Sequence, residues 1–117
     1  MAAVIEVRTY RAQPGQRDTI MGLLRDRSFP VHQELGMRVL GPFPSAEDPD
    51  TFVWLRAFPD AASRDPMKEA FYGGKPWLEE LEALMMPLIA EYGAVLVEDT
   101  ASLWERWPGP SASSSAR

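Results

Sequence analysis

Arg8 and Tyr10 stand two apart in the stretch from Val4 to Arg11, and Trp54 and Arg56 stand two apart in Thr51 to Phe58. Residues two apart in an extended chain share a face. If the two stretches are neighbouring strands, two guanidinium groups, a phenol and an indole meet. That set suits the carboxylate or phenolate of a planar ligand, because guanidinium groups hold the anionic oxygen and pack flat against rings. Glu6 has the same parity and can pair with Arg56, which leaves one cation wanting an anion. The same four residues also suit a buried ion-pair and aromatic layer inside a barrel made by two copies. Alternation does not choose between these readings, since Ile5, Val7, Val53 and Leu55 on the opposite parity would equally suit helix packing.

His32, Tyr72 and Tyr10 are the side chains able to move a proton near such a pocket. Phe71-Tyr72-Gly73-Gly74 and Trp77 form a second group. Two glycines allow a sharp turn with positive φ, placing Tyr72 and Trp77 on either side of it. The expected roles are therefore acid or base for Tyr10, His32 and Tyr72, and substrate contacts for Arg8, Trp54, Arg56, Phe71 and Trp77. Each has a plainer reading. His32 is the sole histidine and fits a partly exposed helix end, bonding terminal carbonyls. Phe71, Trp77, Met85 and Met86 fit an aromatic and apolar core. Glu79, Glu80 and Glu82 fit a solvated helix face. One histidine without cysteine makes no zinc site, and a haem resting on His32 alone is not expected. No metal and no organic cofactor is expected. No nucleophile elbow, phosphate loop or dinucleotide fingerprint is present.

The chain of 117 residues is long enough for one domain. With 45% hydrophobic and 25% charged residues it is an ordinary globular composition. A net charge of -5 without a basic cluster argues against nucleic acid and anionic membranes as partners. No apolar run approaches the ~20 residues that span a bilayer. The first residues, MAAVIEVRTY, look like a strand and lack signal-peptide organisation, so a cytoplasmic location is expected.

Val4 to Arg11 is expected as strand one, followed by a Pro14-Gly15 turn and a helix from about Gln16 to Gly36 that kinks near Phe29 before Pro30. Met37 to Leu40 is a short second strand, and Gly41 to Asp50 a loop. Strand three is Thr51 to Phe58, apolar or aromatic on both parities, which calls for cover on both faces. A helix in two pieces follows, with Asp65 as the second cap. The segment from Pro76 to Tyr92 is expected as a helix bent at Pro87 and stopped by Gly93, with Ala94 to Glu98 as strand four. The domain spans 1–103. Residues 104–117 form a C-terminal extension, expected to be disordered from about 108. Trp104 and Trp107 are too apolar for a free tail and are expected to dock, with a partner subunit as one candidate surface.

The order βαββαβ is the ferredoxin-like α+β plan, an antiparallel four-stranded sheet with helices on one face. Its other face, left bare, would be buried sheet-to-sheet across a two-fold axis. The residues Glu6 to Tyr10 with Pro14-Gly15, Leu35 to Gly41, Phe52 to Phe58, and Ala70 to Gly74 with Trp77 together resemble the NIPSNAP family of the dimeric α/β barrel superfamily. The chain departs from that pattern at Leu78-Glu79-Glu80, where more basic or His-bearing residues would be expected, and at Lys75-Pro76. The resemblance implies a homodimer in which two sheets close a barrel, and a ligand cleft between sheet and helices. The superfamily's activities point to a cofactor-free enzyme of small-molecule or secondary metabolism that oxygenates, cyclises or isomerises a planar, largely apolar substrate. A non-catalytic dimer binding a ligand or a protein is the alternative.

Overall fold

The structure, a computed structural model, describes residues 2–108. Four strands form one antiparallel sheet in the order β2-β3-β1-β4: β1 (Val4–Ala12), β2 (Arg38–Pro44), β3 (Thr51–Phe58) and β4 (Ile89–Glu98). Helical segments connect β1 to β2 and β3 to β4, which is the ferredoxin-like α+β arrangement.

Between β1 and β2 the chain runs through α1 (Arg17–Leu23), a π-helical turn over Leu24–Ser28 and α2 (Phe29–Glu34). The wide turn falls just before Pro30, which has no N–H to give the preceding turn. The expected kink near Phe29 is thus realised as a local widening. Gly36 ends this run at φ +92°, a conformation a side chain would strain.

The second crossover departs from expectation in two places. α3 (Ala61–Tyr72) is one helix with Pro66 inside it, not two pieces. Asp60, not Asp65, is the cap, accepting from Ser63 N at 2.8 Å. The chain then passes through a π-helical turn (Trp77–Leu81), α4 (Glu82–Met85) and a 3-10 turn (Met86–Leu88). Helical structure stops there, so Ile89 to Tyr92 belong to β4 rather than to a helix reaching Gly93. Pro87 accounts for the stop, and the apolar run after it satisfies strand as well as helix. Leu78, Leu84 and Met86 are exposed while Leu81 and Met85 are buried, so only part of the expected apolar stripe, and only one of the two methionines, is core.

β2 is longer than its expected four residues, running through Pro44 with a register shift between Leu40 and Phe43. A bulge admits Pro42 at this edge, where a missing N–H is tolerated.

The sheet register fixes the faces. Glu6 lies opposite Arg56 and Arg8 opposite Trp54, so these side chains share a side. It is the helix side: Val4, Glu6, Arg8, Tyr10, Phe52, Trp54, Arg56 and Phe58 are buried there with Ile20, Leu24, Phe29, Phe71, Leu81 and Met85. On the opposite side Val7, Val53 and Leu55 are half-buried and Thr9 is exposed. Trp104 and Trp107 dock on their own chain. Asp99 accepts from the N–H groups of Leu103 and Trp104, each at 2.8 Å. Arg38 lies over the Trp104 ring at 3.9 Å and donates to its carbonyl. Trp107 Nε1 donates to the Val39 carbonyl at 2.9 Å, occupying an outer acceptor of edge strand β2. The expected disorder of the last residues falls outside the described residues.

Candidate functional site

The site is built around one carboxylate. Glu6 projects from β1 toward the helices with no solvent exposure. Arg8 Nη1 donates to its Oε1 at 2.7 Å and Arg56 Nε to the same oxygen at 2.9 Å. Arg56 Nη2 is also 2.8 Å from that oxygen, as an ionic contact without hydrogen-bond alignment. On the other oxygen, Arg64 Nε of α3 donates to Oε2 at 2.8 Å, and Lys68 Nζ lies 3.6 Å away. Glu6 therefore meets four cations, not the single arginine its strand position predicted. Burial pushes its carboxyl pKa up, but Arg56, Arg64 and Arg8 together outweigh that and hold it at about 2. It stays ionised, and the group as a whole carries a surplus of positive charge.

Arg56 ties this hub to the helices. Its Nη1 donates to Tyr72 Oη at 2.9 Å and sits 3.1 Å from His32 Nε2. His32 Nδ1 is 2.9 Å from the Ser28 carbonyl, which can only accept. The proton is thus on Nδ1, and Nε2 is left as the acceptor facing Arg56. Burial and the Arg56 charge depress the imidazole pKa to about 3, which keeps it neutral. Its exposure is 1%, against the partly exposed helix end expected of it. Phe71 stacks on the ring at 4.0 Å. Both nitrogens are engaged, so His32 here orients Arg56 and offers no lone pair to a ligand.

Trp54 lies between the two arginines, whose Cζ atoms are 5.3 Å (Arg8) and 5.4 Å (Arg56) from its ring. Arg8 Nη2 donates to Tyr10 Oη at 3.3 Å. Burial raises the Tyr10 pKa against the pull of Arg8, so this side chain is a neutral phenol. Tyr10 and Tyr72 accept from arginines and keep their own O–H protons to give. Trp54 Nε1 and Arg8 Nε, both buried, have no hydrogen-bond partner among the described residues.

All eight candidates from the sequence fall in one connected cluster. Tyr10 touches Trp54, Trp54 touches His32, His32 touches Phe71, and Phe71 and Tyr72 pack on Trp77 at 5.7 and 5.1 Å. The glycines that separate Tyr72 from Trp77 act through space, not through positive φ. Gly73 has φ -92°, and a Cβ there would lie 2.9 Å from the Glu69 carbonyl; one on Gly74 would lie 2.8 Å from that of Ala70. Arg64 and Lys68 escaped the sequence reading. Their signal is spacing: Arg64, Lys68 and Phe71-Tyr72 recur at i, i+4 and i+7/i+8, which puts two cations on the inward stripe of a helix.

A cavity of about 570 Å³ lies away from the hub, between the C-terminal segment (Trp104, Glu105, Trp107) and the Gln33 to Val39 stretch. It has little of the ionic chemistry of the Glu6 hub. Among the described residues no group of three or more His, Asp or Glu is placed to hold a metal ion.

No family model and no curated protein matches the chain. Solved structures do. A NIPSNAP family protein of unknown function from Agrobacterium tumefaciens superposes with TM-score 0.71 at 22% identity, covering 83% of this chain and 87% of that one. A NIPSNAP-like domain protein from Burkholderia xenovorans gives 0.72 at 16% identity, covering 82% and 84%. An antibiotic biosynthesis monooxygenase-like protein from Nitrosomonas europaea gives 0.68 at 16%, covering 86% and 93%. These likenesses concern the fold: the chain has the ferredoxin-like architecture found in solved NIPSNAP family proteins.

Proposed function

We propose that the protein is a NIPSNAP-type, small-molecule-binding homodimer whose ligand is a planar anion, a carboxylate or phenolate, held at the Glu6 hub. One observation carries the reading: four cations surround a single carboxylate in a largely buried setting. A buried cation without a counter-charge is expensive, so the surplus favours an anionic guest. Arg8 is the expected contact to its anionic oxygen, with the unpartnered Arg8 Nε and Trp54 Nε1 as spare donors. Trp54, Phe71 and Trp77 supply ring surfaces, while Arg56 holds Tyr72.

The chemistry open to such a site without an organic cofactor is limited to orientation, exclusion of water and proton donation. Tyr10 and Tyr72 are the proton donors, and His32 acts through Arg56. That set fits cyclisation, isomerisation or cofactor-free oxygenation of an enol or phenol in small-molecule or secondary metabolism. The likeness to an antibiotic biosynthesis monooxygenase-like protein supports this. A non-catalytic binding dimer is the second reading, favoured by the fact that both His32 nitrogens are already bonded. The homodimer is supported by the half-covered aliphatic face around Val7, Val53, Leu55 and Val95, which a second sheet would bury.

The reading is tested by titrating the protein with benzoate, 4-hydroxybenzoate and their uncharged amides while following tryptophan fluorescence. The anions are expected to quench saturably and the amides not. Equal response to anions and amides contradicts an anion site.

A further inference from the structure

The helix-side residues of β4 carry a second feature beside the hub. Tyr92 lies opposite Tyr10, Ala94 opposite Arg8 and Leu96 opposite Glu6, so all three point to the side on which α3 packs. Yet among the described residues no helix covers them: Tyr92 is 57% exposed, Leu96 45%, and Ala94 is exposed as well. Beside this strip, at Glu6, the sheet partner of Leu96, Arg64 and Lys68 reach the carboxylate with side chains 28% and 30% exposed. Arg8 and Arg56 are enclosed, whereas these two can meet solvent and Glu6 together. The sheet side thus offers apolar area, and the helix side offers two accessible cations.

We propose that the strip and the α3 pair are the mouth of the ligand site, and that its ligand is an amphipathic monoanion. Its carboxylate enters past Arg64 and Lys68, which take one oxygen in competition with Glu6 Oε2 while Arg8 behind them takes the other, and its apolar body lies along Tyr92, Ala94 and Leu96. This rests on the anion-binding reading above and specifies where the anion enters and what it must carry. Charge complementarity selects this occupant over a neutral or cationic one: Glu6 cannot satisfy four cations, and the side chains of Arg64 and Lys68 remain partly exposed. A small hydrophilic anion would gain nothing from the strip, and an uncharged ring would gain nothing from the pair. Lys68 is the selective residue, because at 3.6 Å it is the cation held most loosely by Glu6.

The test is calorimetric titration of the full chain with 2-naphthoate, acetate and naphthalene-2-methanol, using wild type, Arg8→Met, Lys68→Gln, Leu96→Glu and the milder Leu96→Ser. Light scattering and melting curves accompany each variant. Wild type is expected to bind 2-naphthoate at least about tenfold more tightly than either control. Lys68→Gln and Leu96→Glu are each expected to weaken it about tenfold with mass and melting temperature kept, and Leu96→Ser severalfold. Should Arg8→Met weaken binding while Lys68→Gln and both Leu96 variants leave it intact, the anion site stands and the mouth is refuted. Absence of 2-naphthoate binding by wild type overturns both. If Leu96→Glu lowers the assembly mass and binding persists, the strip belongs to a second copy and the inference fails.

Discussion

The two sides of the β1–β3 sheet are built by opposite means. On the helix side, Glu6, Arg8, Arg56, His32 and Tyr72 form a closed network of charged and polar atoms, wrapped by Trp54, Phe71 and Phe58. On the other side, Val7, Val53, Leu55, Val95 and Val97 present aliphatic surface only partly covered, and Val95 is 63% exposed. The first side must be right in every atom, since a buried charge that loses its partner is costly. The second needs only to be apolar and flat. One strand, read at alternate residues, therefore carries a buried ionic network with one parity and a partly covered aliphatic surface with the other.

Mutations can break that contrast. Glu6→Gln leaves the buried Arg8 and Arg56 without their counter-charge, and chemical denaturation is expected to show a loss of about 3–5 kcal/mol. The same substitution type on the opposite side has no such partner to strand.

Acid should act on the helix side alone. The Glu6 pKa falls from 4.5 to about 2 on folding, so its stabilisation is complete above pH 4.5 and disappears as pH drops toward 2. The shift corresponds to about 3 kcal/mol. His32 is depressed from 6.5 to about 3, so the unfolded chain takes up its proton first and stability begins to fall below pH 6.5. Denaturation midpoints measured from pH 7 to 3 should decline in two stages, the first missing in His32→Phe and the second in Glu6→Gln. A flat profile would mean that neither group is buried as described.

Trp107→Phe tests whether the C-terminal segment is fixed to edge strand β2. Losing the bond to the Val39 carbonyl should cost about 1 kcal/mol, read from urea unfolding. Smallest in folding energy is Val95→Glu on the aliphatic side. It should change the subunit's own stability by no more than about 0.5 kcal/mol, yet halve the mass seen by light scattering if that side joins two copies. An unchanged dimer would relocate the interface.

The parities of β1 and β3 were legible because a period of two is unmistakable over eight residues. Which parity faced the helices was not, because Arg8-Tyr10 and Val7-Thr9 are both plausible inner sets until the helices are placed. The Pro76 to Tyr92 stretch is ambiguous for a related reason: Ile89 and Tyr92 continue the helical spacing of Leu88, and only the register with Ala12 and Tyr10 shows them in a strand. Arg64 and Lys68 were not legible as site residues because basic residues four apart on a helix ordinarily face water. His32 was legible as a candidate, but the carbonyl of Ser28 that fixes its tautomer could not be read from residue types.

The most direct test of the hub as an anion site is Arg8→Met, measured for both melting temperature and 2-naphthoate affinity. Glu6 retains Arg56, Arg64 and Lys68 in this variant, and methionine keeps the apolar stem. The account predicts a melting temperature within a few degrees of wild type, since about 1 kcal/mol moves a domain of this size by roughly 4–8 °C, together with at least about tenfold weaker binding. A steep fall in melting temperature with affinity unchanged would show that Arg8 only holds the fold together, and would contradict it.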